Sequence, residues 1–174
     1  MPQAKKAALV AHPAAPSAIA DSVVVHVERM AAGLALRYLL VADIRRLRVP
    51  SPRAPARVEG LWRHTCFELF ARSPEAPGYV EFNFSPSGEW AAYRFAGYRE
   101  GGTPIDCAVP IITTRIRAEA LELEVRMASI PAGARVGLSA VIEDDHGALS
   151  YWALRHPCAR PDFHHADAFT LALP

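Results

Sequence analysis

Glu68, Glu81, Asn83, Trp90 and Arg94 lie in three neighbouring stretches where apolar and polar residues alternate: CFELFAR, YVEFNFSP and EWAAYRF. Successive side chains of an extended chain point to opposite faces. On that period Phe67, Leu69, Val80, Phe82, Phe84, Ala91, Tyr93 and Phe95 are expected to face a core. Glu68, Glu81, Asn83, Trp90 and Arg94 then share the other side, which gathers carboxylates, an amide, an indole and a guanidinium. An indole among hydrogen-bonding groups suits a partner with a flat apolar face and polar edges. Planar paired donors such as Arg63 or Arg94 suit vicinal hydroxyls or a carboxylate. The plain alternative is a solvated sheet face, whose Glu–Arg cross-strand pairs contribute about 0.2–1 kcal/mol each.

Two further segments carry candidate groups. EGLWRHTCFE sets Trp62, Arg63 and His64 just ahead of the first stretch. YWALRHPCARPDFHHADAF carries Trp152, His156, Asp162, Phe163, His164 and His165 from a strand end into a Pro-punctuated loop. Loops on a rigid sheet scaffold commonly hold binding residues, although Trp62 and Trp152 also fit core packing or loop anchoring. The candidate ligand-binding set is therefore Trp62, Arg63, Glu68, Glu81, Asn83, Trp90, Arg94, Trp152 and His156.

Other chemistries find weaker footholds. Glu68 and Glu81 on adjacent strands have the form of a glycosidase pair, whose carboxyls sit about 5–9 Å apart. The pattern His-x-Cys occurs at His64–Cys66 and at His156–Cys158, so two such pairs would complete a zinc tetrahedron. His164, His165 and Asp167 offer further ligands, but a histidine pinned to a carboxylate explains them as well. No metal site is assigned. No Gly-x-Ser-x-Gly elbow is present, Cys66 falls mid-strand, and REGGTP lacks the context of a phosphate loop. No catalytic residue is assigned, and the expectation is a protein that is not an enzyme.

Strands must position these groups. Alternation and turn residues predict strands near residues 22–30, 34–42, 65–72, 79–86, 89–95, 111–117, 121–127, 136–144, 149–156 and 168–173. About ten short strands in one domain spanning residues 1–174 point to an all-β, antiparallel β-sandwich of two sheets. Residues 49–60 and 97–110 read as surface loops, and residues 1–20 as an irregular N-terminal segment. The run AALVA after Lys5 and Lys6 is broken by His12 and Pro13, too early for a signal-peptide core. The three cysteines form no framework spacing, which fits a reducing, cytoplasmic setting. A net charge of +1, from 19 basic and 18 acidic residues, gives no pull toward nucleic acid or an anionic membrane. Edge strands leave both a monomer and a homodimer open.

LWRHTCFELFA and YVEFNFSPSGEWAAYRFAGYREG, followed by YWALRHPCARPDFHHADAFTLAL, resemble the bacterial DOMON-like domains, which are related to the family 9 carbohydrate-binding modules. The resemblance is carried by residues 61–101 and 151–173. It implies a sandwich of two antiparallel sheets with a ligand site on one concave face. Members bind sugars or haem. In the sugar-binding relatives two tryptophans clamp a saccharide while Glu, Asn and basic groups bond its hydroxyls. Trp62 with Arg63, Glu68, Asn83 and Trp152 occupy the matching positions, and Trp90 of the GEW step would pack beneath the face. The resemblance thus implies a small-molecule partner, saccharide-like in character. The haem alternative uses a Met with a His or Lys, for which Met30, Met127 and His26 are the strand-borne candidates.

Overall fold

The computed structural model describes residues 4–128, 130–131 and 133–173. Among the described residues twelve strands and three short 3-10 turns follow one another. The first strands are β1 (Ala4–Ala11), β2 (Ala20–Met30) and β3 (Gly33–Ala42). A 3-10 turn at Leu61–Arg63 leads to β4 (Cys66–Arg72), β5 (Tyr79–Phe84), β6 (Trp90–Gly97) and β7 (Glu100–Pro104). Then come β8 (Ile111–Ile116), β9 (Ala120–Met127), β10 (Arg135–Glu143), β11 (Leu149–Ala153) and β12 (Leu171–Ala172). The all-β, antiparallel reading holds. β1 and β7 are additions, lying where an irregular segment and a loop were expected.

Every pairing between these strands is antiparallel. They run in the order β7-β6-β5-β4-β10-β11-β1-β2-β3-β9-β8, with β12 on the free edge of β10. Two separate sheets were expected, but the hydrogen-bonded path is continuous, because β1 serves two neighbours. Ala4 to Leu9 pair with β2, whereas Val10 and Ala11 pair with β11.

The path doubles back over its own face. Tyr38 of β3 donates its hydroxyl to the Glu68 carbonyl of β4 at 2.8 Å, and its ring lies 5.1 Å from Phe67. In the ladder β3 and β4 are separated by β10, β11, β1 and β2, so this contact requires one half to cover the other. The enclosed core draws Val25, Leu36 and Leu123 from one half and Phe67, Leu69, Phe84 and Leu138 from the other. Burial of such β-branched, leucyl and aromatic side chains supplies about 1.5–3 kcal/mol each.

The other face of β10, β4 and β5 is also buried, and it is there that the polar residues collect. Gly137 lets the C-terminal loop come close, since a Cβ there would lie 2.9 Å from the Phe169 ring. Gly78, at φ +80°, lets β5 begin against β6, where a Cβ would run into the Phe95 carbonyl. Among the described residues no helix is long and apolar enough to cross a membrane.

Candidate functional site

Strand register decides which side chains share the second face. Glu68 stands opposite Asn83 and Ser139; Glu81 stands opposite Phe70 and Tyr93; Val141 stands opposite Cys66 and Tyr151. The face therefore runs from Tyr151 on β11, through β10, β4 and β5, to Tyr93 and Phe95 on β6. It forms the floor of a cleft of about 680 Å³, lined by Glu68, Glu81, Tyr93, Phe95, Val141 and Tyr151.

Two small hydrophobic clusters bracket this floor and hold its rim. At one end Leu61, Cys66 and Ala91 pack together with Val58 and Tyr93. Leu61 thereby anchors the 3-10 turn, and Trp62 and Arg63 project from it over the cleft. Trp62 is 49% exposed, unusual for an indole held on a rigid turn, and the Arg63 guanidinium lies 5.2 Å from its ring. A polar latch supports the turn from behind. The buried Glu143 carboxylate receives Arg48 and meets His64 Nδ1, each at 2.8 Å, and the Glu143 N–H donates to Thr65 Oγ1. At the other end Phe70, Tyr79 and Phe169 pack with Phe95 and Phe163. Phe163, His164 and Pro161 complete the opposite wall, with Arg99 and Gly102 from the β6–β7 hairpin.

The deep polar groups are tied to one another. Glu68 Oε2 accepts from Ser139 Oγ at 3.1 Å, and Glu81 Oε1 accepts from Asn83 Nδ2 at 3.0 Å. Burial, reinforced by the neighbouring Glu81 charge, pushes the Glu68 carboxyl well above the usual carboxylate range. Burial likewise raises Glu81 to about 7, against the opposing pull of the Asn83 hydrogen bond and Arg99. His164 Nε2 lies 3.7 Å from Glu81 Oε2, yet burial and Arg99 lower this imidazole to about 4. Near neutral pH His164 is thus uncharged, and the contact with Glu81 is no ion pair. Tyr79 Oη accepts from the Arg99 N–H at 3.2 Å and lies in hydrogen-bonding contact with His164 Nδ1 at 2.7 Å.

Chemically, the floor presents carboxyl groups able to donate as well as accept, two phenols at Tyr93 and Tyr151, and several apolar rings. Of the nine expected residues, Trp62, Arg63, Glu68 and Glu81 line the cleft. Asn83 shares their face but is fully buried and acts through Glu81.

The other placements need correction. Trp90 pairs with Phe84, and Ala92 with Phe82, so Trp90 and Arg94 belong to the opposite face of β6. Trp90 packs in the main core with the Arg57 guanidinium 4.9 Å from its ring, and Arg94 is exposed. Tyr93 and Phe95, expected inside, take their place in the cleft. Trp152 also faces the core, its Nε1 donating to Ser150 Oγ, and the neighbouring Tyr151 supplies the ring that was expected from it. His156 lies outside the cleft, against Val10 O at 2.8 Å and edge-on to His12. The His-x-Cys pairs do not converge: among the described residues no three His, Cys, Asp or Glu side chains are placed to hold a metal ion. Of the haem candidates, Met127 is buried at the end of β9, Met30 is exposed at the end of β2, and His26 sits opposite Arg37 and Lys6. None of the three lines the cleft.

Comparison with known proteins bears on the fold. No family model and no curated protein matches the chain. Among solved structures it is similar to a putative carbohydrate-binding protein from Bacteroides uniformis, with a TM-score of 0.68 at 14% sequence identity. The match covers 95% of this chain and 84% of that one. At that identity the likeness is one of fold.

Proposed function

We propose that this chain is a non-enzymatic binding domain that takes a sugar or sugar-like polar ligand in the cleft above Glu68 and Glu81. The observation that carries the reading is Trp62. A half-exposed indole, clamped on a rigid turn, overhangs buried carboxyls that can bond hydroxyls. Pyranose rings present an apolar face to an indole and hydroxyl edges to carboxyls and phenols. Tyr93, Tyr151 and Phe163 supply the remaining walls, and Arg63 lies within reach of a hydroxyl pair. The similar fold of the putative carbohydrate-binding protein supports the same reading. So does the resemblance to DOMON-like and family 9 modules, for which the doubled-back ladder would be a two-layer sandwich.

Thermal-shift and calorimetric titration with a panel of mono- and disaccharides tests the proposal. A binding sugar should raise the melting temperature of the native protein. Trp62→Ala should keep the unliganded melting temperature within a few degrees and abolish that rise. Binding that survives Trp62→Ala unchanged would remove the cleft as the site.

A second reading, glycoside hydrolysis, is favoured by one observation: two neighbouring carboxyls in one cleft, both raised by burial. Turnover on a glycoside panel that Glu68→Gln abolishes would establish it in place of simple binding.

A further inference from the structure

Glu68 and Glu81 are two buried carboxyls that burial biases toward the protonated form and that no cation among the described residues holds ionised. Both line the cleft and are almost wholly buried, 2% and 5% exposed. Among the described residues Glu68 has no ion-pair partner and gives only Oε2 to a protein donor, Ser139. Close to Glu81 Oε2 stands the uncharged His164. The two guanidinium groups at the rim are engaged elsewhere, Arg99 with Asp162 at 2.9 Å and Arg63 over Trp62. A buried carboxyl ionises readily only with a cation beside it. Here the place where that cation would stand is the open cleft itself, walled by aromatic rings whose faces also attract positive charge.

Resting on the sugar-binding reading, we propose that the ligand bears a protonated amine, as a saccharide with a free amino group does, and that its ammonium docks against Glu68 and Glu81. An ammonium is compact and brings three donors, matching the free oxygen of Glu68, Oε2 of Glu81 and a phenol of Tyr93 or Tyr151. An anionic sugar would gain nothing from ionisation of this floor. The protons balance simply. Where a carboxyl is protonated in the free protein, its O–H bond breaks as the ammonium arrives, the proton passes to buffer, and the amine keeps its own. Binding should therefore release protons near neutral pH.

The test compares D-glucosamine, D-glucose, N-acetyl-D-glucosamine and cyclohexylamine by calorimetry, in two buffers of different ionisation enthalpy. Glucosamine should bind at least ~10-fold more tightly than glucose or the N-acetyl sugar. Its apparent enthalpy should differ between buffers, corresponding to release of up to about one proton. Glu81→Gln should shrink the preference for glucosamine over glucose and lower the number of protons released; should that variant fail to fold, Glu68→Gln serves, and the proton count on the native protein stands alone. Glucose binding as tightly as glucosamine, with no buffer dependence, overturns the ammonium site and leaves the sugar reading intact. Cyclohexylamine binding where no sugar does upholds the ammonium site and overturns the sugar reading. Failure of all four probes to bind overturns both.

Discussion

Tyr79 Oη lies 2.7 Å from His164 Nδ1 while the same oxygen accepts from the Arg99 N–H at 3.2 Å. One phenol thus joins the start of β5, the β6–β7 hairpin and the C-terminal loop, which together make one wall of the cleft. Arg99 sits at φ +53°, the one described non-glycine residue in the left-handed region, and Asp162 holds its side chain. Tyr79→Phe removes the shared oxygen and leaves two polar groups short of a partner. The expected result is a loss of about 1–2 kcal/mol in urea denaturation. The His164 imidazole resonances should shift in the same variant, because its Nδ1 loses its hydrogen-bond partner.

Glu81 and His164 are displaced in opposite directions by the same burial. Glu81 is raised from 4.5 to about 7, so its contribution to stability is full below 4.5 and is lost as pH rises through about 7. His164, lowered from 6.5 to about 4, contributes fully above 6.5 and loses that contribution as pH falls through about 4. Glu81→Gln keeps the neutral shape and removes the first effect. Its stability relative to the native protein should improve as pH rises through that interval, by up to about 3 kcal/mol. Denaturation curves across that range provide the check; a difference independent of pH would contradict the assignment.

Two tryptophans separate scaffold from site. Trp90 is buried with Phe82 and Phe84, whereas Trp62 overhangs the cleft. Trp90→Ala should lower stability by about 3–5 kcal/mol, as large aromatic truncations in a core do. Trp62→Ala should change it by less than about 1 kcal/mol and still remove saccharide binding. Equal losses of stability in the two variants would mean that Trp62 is structural.

The Glu143 latch is a positioning device for the rim. Its carboxylate is bonded to Arg48 and His64 behind the Leu61–Arg63 turn. Glu143→Ala should lower stability by about 2 kcal/mol and raise the mobility of Trp62, read as a drop in its fluorescence anisotropy. A turn that keeps native anisotropy would show that Leu61 alone suffices to hold it.

Strand existence was legible because alternation reports burial directly; β4, β5, β9 and β10 lie where that pattern puts them. Strand phase was not. Tyr93 and Phe95 look like core residues, but residues 85–89 join β5 to β6 so that Phe84 meets Trp90, and this register sends the two rings to the cleft. The same ambiguity affects Tyr151 and Trp152, adjacent aromatics of which only one can face each side; pairing of Ala140 with Trp152 turns the tryptophan inward. β1 was missed because AKKAALVA has little intrinsic preference for a strand and is ordered by two partners distant in sequence. β7 was missed because Gly101 and Gly102 are poor strand residues, held there by the β6 edge. His164 was noticed only as one of a pair of histidines, since nothing local ties it to Tyr79, 85 positions away.

The most direct measurement is a crystal structure of the protein grown with D-glucosamine. A sugar ring stacked on Trp62, with its amine within hydrogen-bonding reach of Glu68 and Glu81, is the expected result. A ring bound on any other surface, with the floor between those two carboxyls empty, would contradict it.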